Sequence, residues 1–200
     1  MFPLGTVLFP GIFLPLHVFE PRYRELTRQC LAGDREFGVV LIERGSEVGG
    51  HDVRTRVGTI ARILEAQELD DGRWALATVG TRRIRVRDWL PDDPFPRADV
   101  EEWEDESAGP EAVERYARAV AALRRVLALK AELGEPAVDA TVDLTDDPVL
   151  GSYQVAAVAP LGPMDQHTLL AADGPDLRLA RVQTLLDEEE DYLRRRLALG

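Results

Sequence analysis

The sequence predicts an α+β chain, a small β-barrel followed by a bundle of helices, on three observations. Short strand-like runs separated by Gly, Pro and Asp turns fill the chain from Thr6 to about Asp105. Past that point the apolar spacing changes from alternation to steps of three and four, and three prolines stand where helices tolerate them, at a first position. The 200 residues, 45% hydrophobic and 30% charged, suffice for a real core without a metal or disulfide. The expected subdomains are 1–106 and 107–200.

Residues 1 to 19 carry no formal charge and match the roughly 20-residue length of a membrane span. Pro3, Pro10 and Pro15, with Gly5 and Gly11, would break such a helix repeatedly, and no Lys or Arg precedes the run. It also lacks the cleavage site of a signal peptide, so the segment reads as extended buried backbone, with Thr6–Phe9 and Ile12–Phe19 as strands. Pro21 then opens a short helix over Arg22–Leu31. Phe37–Ile42 is a continuous apolar run, expected as a buried strand. Val57–Leu69 and Arg73–Val79 flank Asp70-Asp71-Gly72, a hairpin signal, and Thr81–Leu90 and Ala98–Glu104 complete six or seven strands. Closing so many short strands into a barrel removes exposed edges.

In the second half, Val113, Tyr116, Val120, Leu123 and Leu127 form an amphipathic stripe on a helix from about Pro110 to Leu133. Pro148, Pro163 and Pro175 are expected to open helices ending near Ala159, Ala172 and Leu199. The acidic stretch Asp99–Glu106, six carboxylates in eight positions, marks the boundary and reads as a last strand with a solvated face.

The net charge of −12, shared equally between the two halves, disfavours nucleic acid and anionic lipid as partners. Arg83, Arg85 and Arg87 share one strand face and could clamp phosphate, but pairing with Asp99, Glu101 and Asp105 on the next strand is the favoured alternative. The single Cys30, at helical spacing from Tyr23 and Leu26, is expected as a buried core thiol in a reducing, cytoplasmic setting. His17, His51 and His167 lie in unlike contexts with no metal-ligand spacing, His17 being expected in the core or at its rim, and neither a metal nor a cofactor is expected. Ser46, Ser107 and Ser152 stand in no nucleophile motif, and Lys130, the only lysine, belongs to no phosphate loop. No catalytic residue is assigned.

The opening block, Pro3-Leu4, Val7 to Gly11, Leu14-Pro15-Leu16 and Phe19 to Tyr23, resembles the N-terminal substrate-binding domain of the Lon protease family. Val57 to Ala61, Gly80 to Val86 and Leu161 to Leu170 extend that resemblance over nearly the whole chain. It implies a PUA-like pseudo-barrel with a short helix, followed by a helical bundle. Because the family's ATPase and peptidase modules have no counterpart before Gly200, the chain is expected to be a stand-alone form of the domain. The implied function is non-enzymatic: recognition of unfolded or exposed apolar polypeptide, as an adaptor for, or competitor with, a protease. Accessible apolar surface is what such binding needs. Phe2, Phe13, Leu14 and Tyr23 are the candidate contact residues, with burial in the core as the competing placement; Glu20 and Arg22 are expected to fix the strand-to-helix corner. A PUA-like RNA-binding protein and an unrecognised hydrolase remain the alternatives.

Overall fold

Strand pairing in the first half begins at Phe2–Leu4 (β1), which lies parallel to Glu36–Arg44 (β3), the strand containing the apolar run Phe37–Ile42. The computed structural model describes residues 1–47 and 52–199, so His51 lies outside the described residues. These residues form two compact units, Met1–Glu104 and Asp105–Gly200.

The first unit is a six-stranded sheet. Phe13–Val18 (β2), Val53–Glu68 (β4), Trp74–Leu90 (β5) and Arg97–Glu102 (β6) join β1 and β3 in the order β1-β3-β4-β5-β2, with β6 also on β5. The path ends at β1 and β2, which do not pair with each other among the described residues, so the seam of the pseudo-barrel is made by side chains. Pro21–Ala32 (α1) packs Tyr23, Leu26 and Cys30 onto the core formed by Phe2, Leu4, Phe37, Ile63 and Leu76.

Two strand expectations need correction. Thr6–Phe9 is not a strand; the pairing goes to Phe2–Leu4, while Leu8 and Phe9 are buried as irregular backbone whose Leu8 carbonyl accepts from Thr59 Oγ1 at 2.6 Å. The strands expected on either side of Gly80 are one strand, β5. Gly80 does not end it, because the missing side chain admits a second backbone: a Cβ there would lie 2.2 Å from the Phe9 carbonyl oxygen. The pairing shifts register beside it: Ile60 faces Arg82 and Ala61 faces Gly80, which leaves Thr81 as the extra residue on β5.

In the second unit Ala112–Glu132 (α2), Pro148–Val158 (α3), Pro163–Leu170 (α4) and Pro175–Leu199 (α5) follow in order. Pro148, Pro163 and Pro175 are the first residues of their helices, where a missing N–H costs nothing. Asp147 caps α3 by accepting from the Val149 amide at 3.0 Å. The buried face of α2 is Tyr116, Ala119, Leu123, Val126 and Leu127, and Val113 is 68% exposed. Alanines at 112, 119 and 122 take core positions that the larger side chains seemed to mark, so the stripe is rotated and Val113 falls outside it.

Candidate functional site

The period of a strand divides β2 into two faces. Leu14, Leu16 and Val18 point inward, with Val18 fully buried and the other two packed partly against the core. Phe13, Pro15 and His17 point out and are exposed, Phe13 to 56%. Opposite them on β5 stand Ala77 (to Pro15) and Ala75 (to His17), and beyond these on β4 stand Glu65 and Gln67. Two alanines between larger residues make a trough. It has a volume of about 280 Å³, walled by Phe13, Pro15 and His17 on one side and by Glu65 and Gln67 on the other.

A second concavity, about 180 Å³, opens at the seam where β2 and β1 fail to pair. Phe2 and Leu4 of β1, Leu16 and Val18 of β2, Tyr23 of α1 and the exposed Phe19 line it, with Glu20 and Glu47 at its rim. Phe2 and Tyr23 stack with ring centroids 4.2 Å apart, and burial pushes the Tyr23 phenol up to about 12. Glu20 and Arg22 hold the corner: their side chains pair at 3.1 Å, the Glu20 carbonyl accepts the Tyr23 and Arg24 amides, and the Arg22 guanidinium lies over the Tyr23 ring.

Between the two concavities runs the free edge of β2. Gly80 donates to the Ile12 carbonyl at 2.9 Å, and alternation from that bond turns the backbone of Leu14 and Leu16 toward β5 and that of Phe13, Pro15 and His17 outward. Pro15 has no N–H to offer at the middle of this edge. It therefore cannot template a continuous ladder with a copy of itself, a common protection of edge strands.

The four expected contact residues are thus distributed unevenly. Phe13 is on the surface, Leu14 is half-buried beneath it, and Phe2 and Tyr23 are largely buried, reaching the second concavity as part of its lining. His17 was expected in or near the core and is instead exposed between both concavities. Phe19, His17, Glu65 and the alanine floor were missed. His17 carried a usable signal: a polar residue in phase with Phe13 and Pro15 marks that face as the wet one.

The remaining chemistry-bearing residues are engaged elsewhere. The Cys30 thiol is buried, donates to the Glu36 carbonyl at 3.2 Å, and has its pKa pushed up by burial to about 11. Lys130 pairs with Glu135 at 2.6 Å, and Ser152 donates to the Val149 carbonyl. His167 is half-buried on α4. No group of three or more His, Cys, Asp or Glu able to hold a metal occurs among the described residues. No described helix is long and apolar enough to cross a membrane.

The arginine row does not present a phosphate clamp. Arg87 pairs with Glu101 at 2.6 Å, whereas Arg82 pairs with Glu36 and Glu102, and Arg83 and Arg85 stack on Trp103 at 4.3 and 4.0 Å. Of the three expected acidic partners, Glu101 makes such a pair, with Arg87. Asp99 is opposite Asp88 because a register shift separates Val86 from Asp88, and Asp105 pairs with Arg178.

Similarity to known proteins follows this architecture. "Lon protease 2" of Herpetosiphon aurantiacus is 29% identical over 193 residues, covering 95% of this chain but 23% of that protein. The chain spans about a quarter of the length of the curated relatives it matches. Among solved structures, a Lon N-terminal domain protein from Xanthomonas campestris superposes with a TM-score of 0.62 at 28% identity, covering 92% of this chain and 95% of that one. The N-terminal domain of the Mycobacterium avium complex Lon protease shares the fold at 18% identity and a TM-score of 0.64, covering 94% and 96%. The family model for the ATP-dependent protease La (LON) substrate-binding domain matches residues 1–188, and the match is to that domain rather than to a peptidase domain. The chain belongs to the Lon substrate-binding domain family.

Proposed function

We propose that this chain is a non-enzymatic recognition module that binds unfolded or exposed apolar polypeptide segments along β2, and that it serves a cytoplasmic protease as an adaptor. The observation that carries the reading is the pair of exposed aromatic rings, Phe13 (56%) and Phe19 (53%), at the two ends of one edge strand with a concavity on either side. Six residue steps of extended backbone separate them by roughly 20 Å, the span of an extended segment of about six residues. Large apolar side chains exposed beside shallow concavities suit many sequences and commit to none, as a client-binding surface requires.

Family membership supports a role in substrate recognition, and the engagement of Arg82, Arg83, Arg85 and Arg87 with carboxylates and Trp103 weighs against the RNA-binding alternative. The test is calorimetric titration with a reduced, alkylated and therefore permanently unfolded protein, without nucleotide. Saturable binding at micromolar concentrations is expected. Absence of heat at tens of micromolar, with the domain folded by circular dichroism, would overturn the reading.

A further inference from the structure

The charges around β2 are one-sided. Glu65 rims the outward trough, is exposed and has no ion-pair partner among the described residues, while Glu47 and Glu20 rim the seam concavity, Glu20 paired with Arg22. Asp52 and Asp92 share the single Arg54 close by, so that cluster also carries excess negative charge. The chain as a whole stands at −12. A segment lying along β2 places its apolar side chains in the concavities and its flanking residues next to these carboxylates.

We propose that the β2 surface selects extended polypeptide segments in which apolar residues are flanked by Lys or Arg, and rejects equally apolar segments flanked by Asp or Glu. This rests on the polypeptide-binding reading above and adds a charge rule to it. Apolar burial gives affinity without sequence preference, whereas the carboxylate rim distinguishes clients by sign. Like-charge repulsion from Glu65 and Glu47 acts against acidic flanks at the same positions that attract basic ones.

Three peptides with one apolar core of six residues, flanked on each side by two Lys, two Ser or two Asp, separate the possibilities by fluorescence anisotropy. The Lys-flanked peptide is expected to bind about tenfold more tightly than the Asp-flanked one at low salt, the size that a few exposed charge pairs supply. Raising the salt to about 0.5 M should shrink that gap, because screening acts on exposed charges and leaves apolar burial intact. Glu65→Arg should reduce the difference at low salt. Equal binding of all three peptides would overturn the charge rule and leave the polypeptide-binding reading standing. Binding by none of them would overturn both.

Discussion

Arg178 and Asp105 form a bidentate pair in the second unit, Nη1 to Oδ2 at 3.2 Å and Nη2 to Oδ1 at 2.8 Å, with the arginine wholly excluded from solvent. The remaining donors are also used: Nε reaches the Leu169 carbonyl at 3.1 Å and Nη1 the Ser152 hydroxyl at 2.8 Å. The Tyr153 ring lies 3.7 Å from the guanidinium carbon, and its hydroxyl donates to Asp105 at 2.9 Å. A buried guanidinium is tolerable only when its charge is paired and its N–H groups are satisfied. This one ties α3, α4 and α5 to the first residue of the unit.

Removing one member should strand the other. Asp105→Asn and Arg178→Met are each expected to lower stability by about 3–5 kcal/mol, the usual cost of an uncompensated buried charge. The double variant should lose less than the sum of the two. Urea unfolding of the four proteins checks this, and additive losses would mean that the residues are not coupled.

The Phe2–Tyr23 stack separates packing from hydroxyl chemistry. The ring stacks on Phe2 with centroids 4.2 Å apart, and burial keeps the phenol neutral, so Tyr23→Phe keeps both the stack and the charge state. Tyr23→Phe should be close to neutral, whereas Tyr23→Ala should cost about 3–5 kcal/mol through the cavity it leaves. Thermal or urea denaturation distinguishes them.

Cys30 should resist alkylation. Burial holds its thiol neutral up to a pKa of about 11, and the reactive form is the thiolate. At pH 8 labelling by iodoacetamide is expected to be at least about a hundredfold slower in the folded protein than in urea, following the fraction of molecules open to the reagent. Labelling at equal rates in both states would contradict burial.

Acid should weaken the first unit through Glu36. The hydrogen bond from Arg82, with a second contribution from Arg62, holds this carboxyl below its ordinary value. A group whose pKa is lower in the folded state stabilises the fold above its unfolded pKa, and the contribution disappears as pH falls through the folded value. Stability measured by urea unfolding should therefore fall below about pH 4, the ordinary carboxylate range. In Glu36→Gln that decline should be shallower.

Much of the fold was legible because local chemistry decides it. Pro21, Pro148, Pro163 and Pro175 mark helix starts through their missing N–H, and Asp70-Asp71-Gly72 marks the β4–β5 turn, where Gly72 has a φ of +75°. The errors came from contacts distant in sequence. Gly80 reads as a break because nothing nearby announces that Phe9 passes against it, and the pairing of Asp105 with Arg178, 73 residues away, has no local signal in the sequence. Alanine hid the true face of α2, since Ala119 and Ala122 fill core sites without the bulk that identifies a stripe. The site was half legible: alternation along Phe13–Val18 separates two faces, but their assignment to core and solvent depends on pairing with β5.

Site-specific photo-crosslinking tests the β2 surface most directly. A photoreactive phenylalanine analogue is introduced in turn at Phe13, at Phe19 and at Val113, an equally exposed apolar position on α2 beside a separate groove of about 550 Å³. Each protein is irradiated with the same unfolded polypeptide. Adducts at positions 13 and 19, suppressed by excess unlabelled polypeptide, with little at 113, are the predicted result. Adducts confined to position 113, with none at 13 or 19, would contradict the assignment of binding to β2.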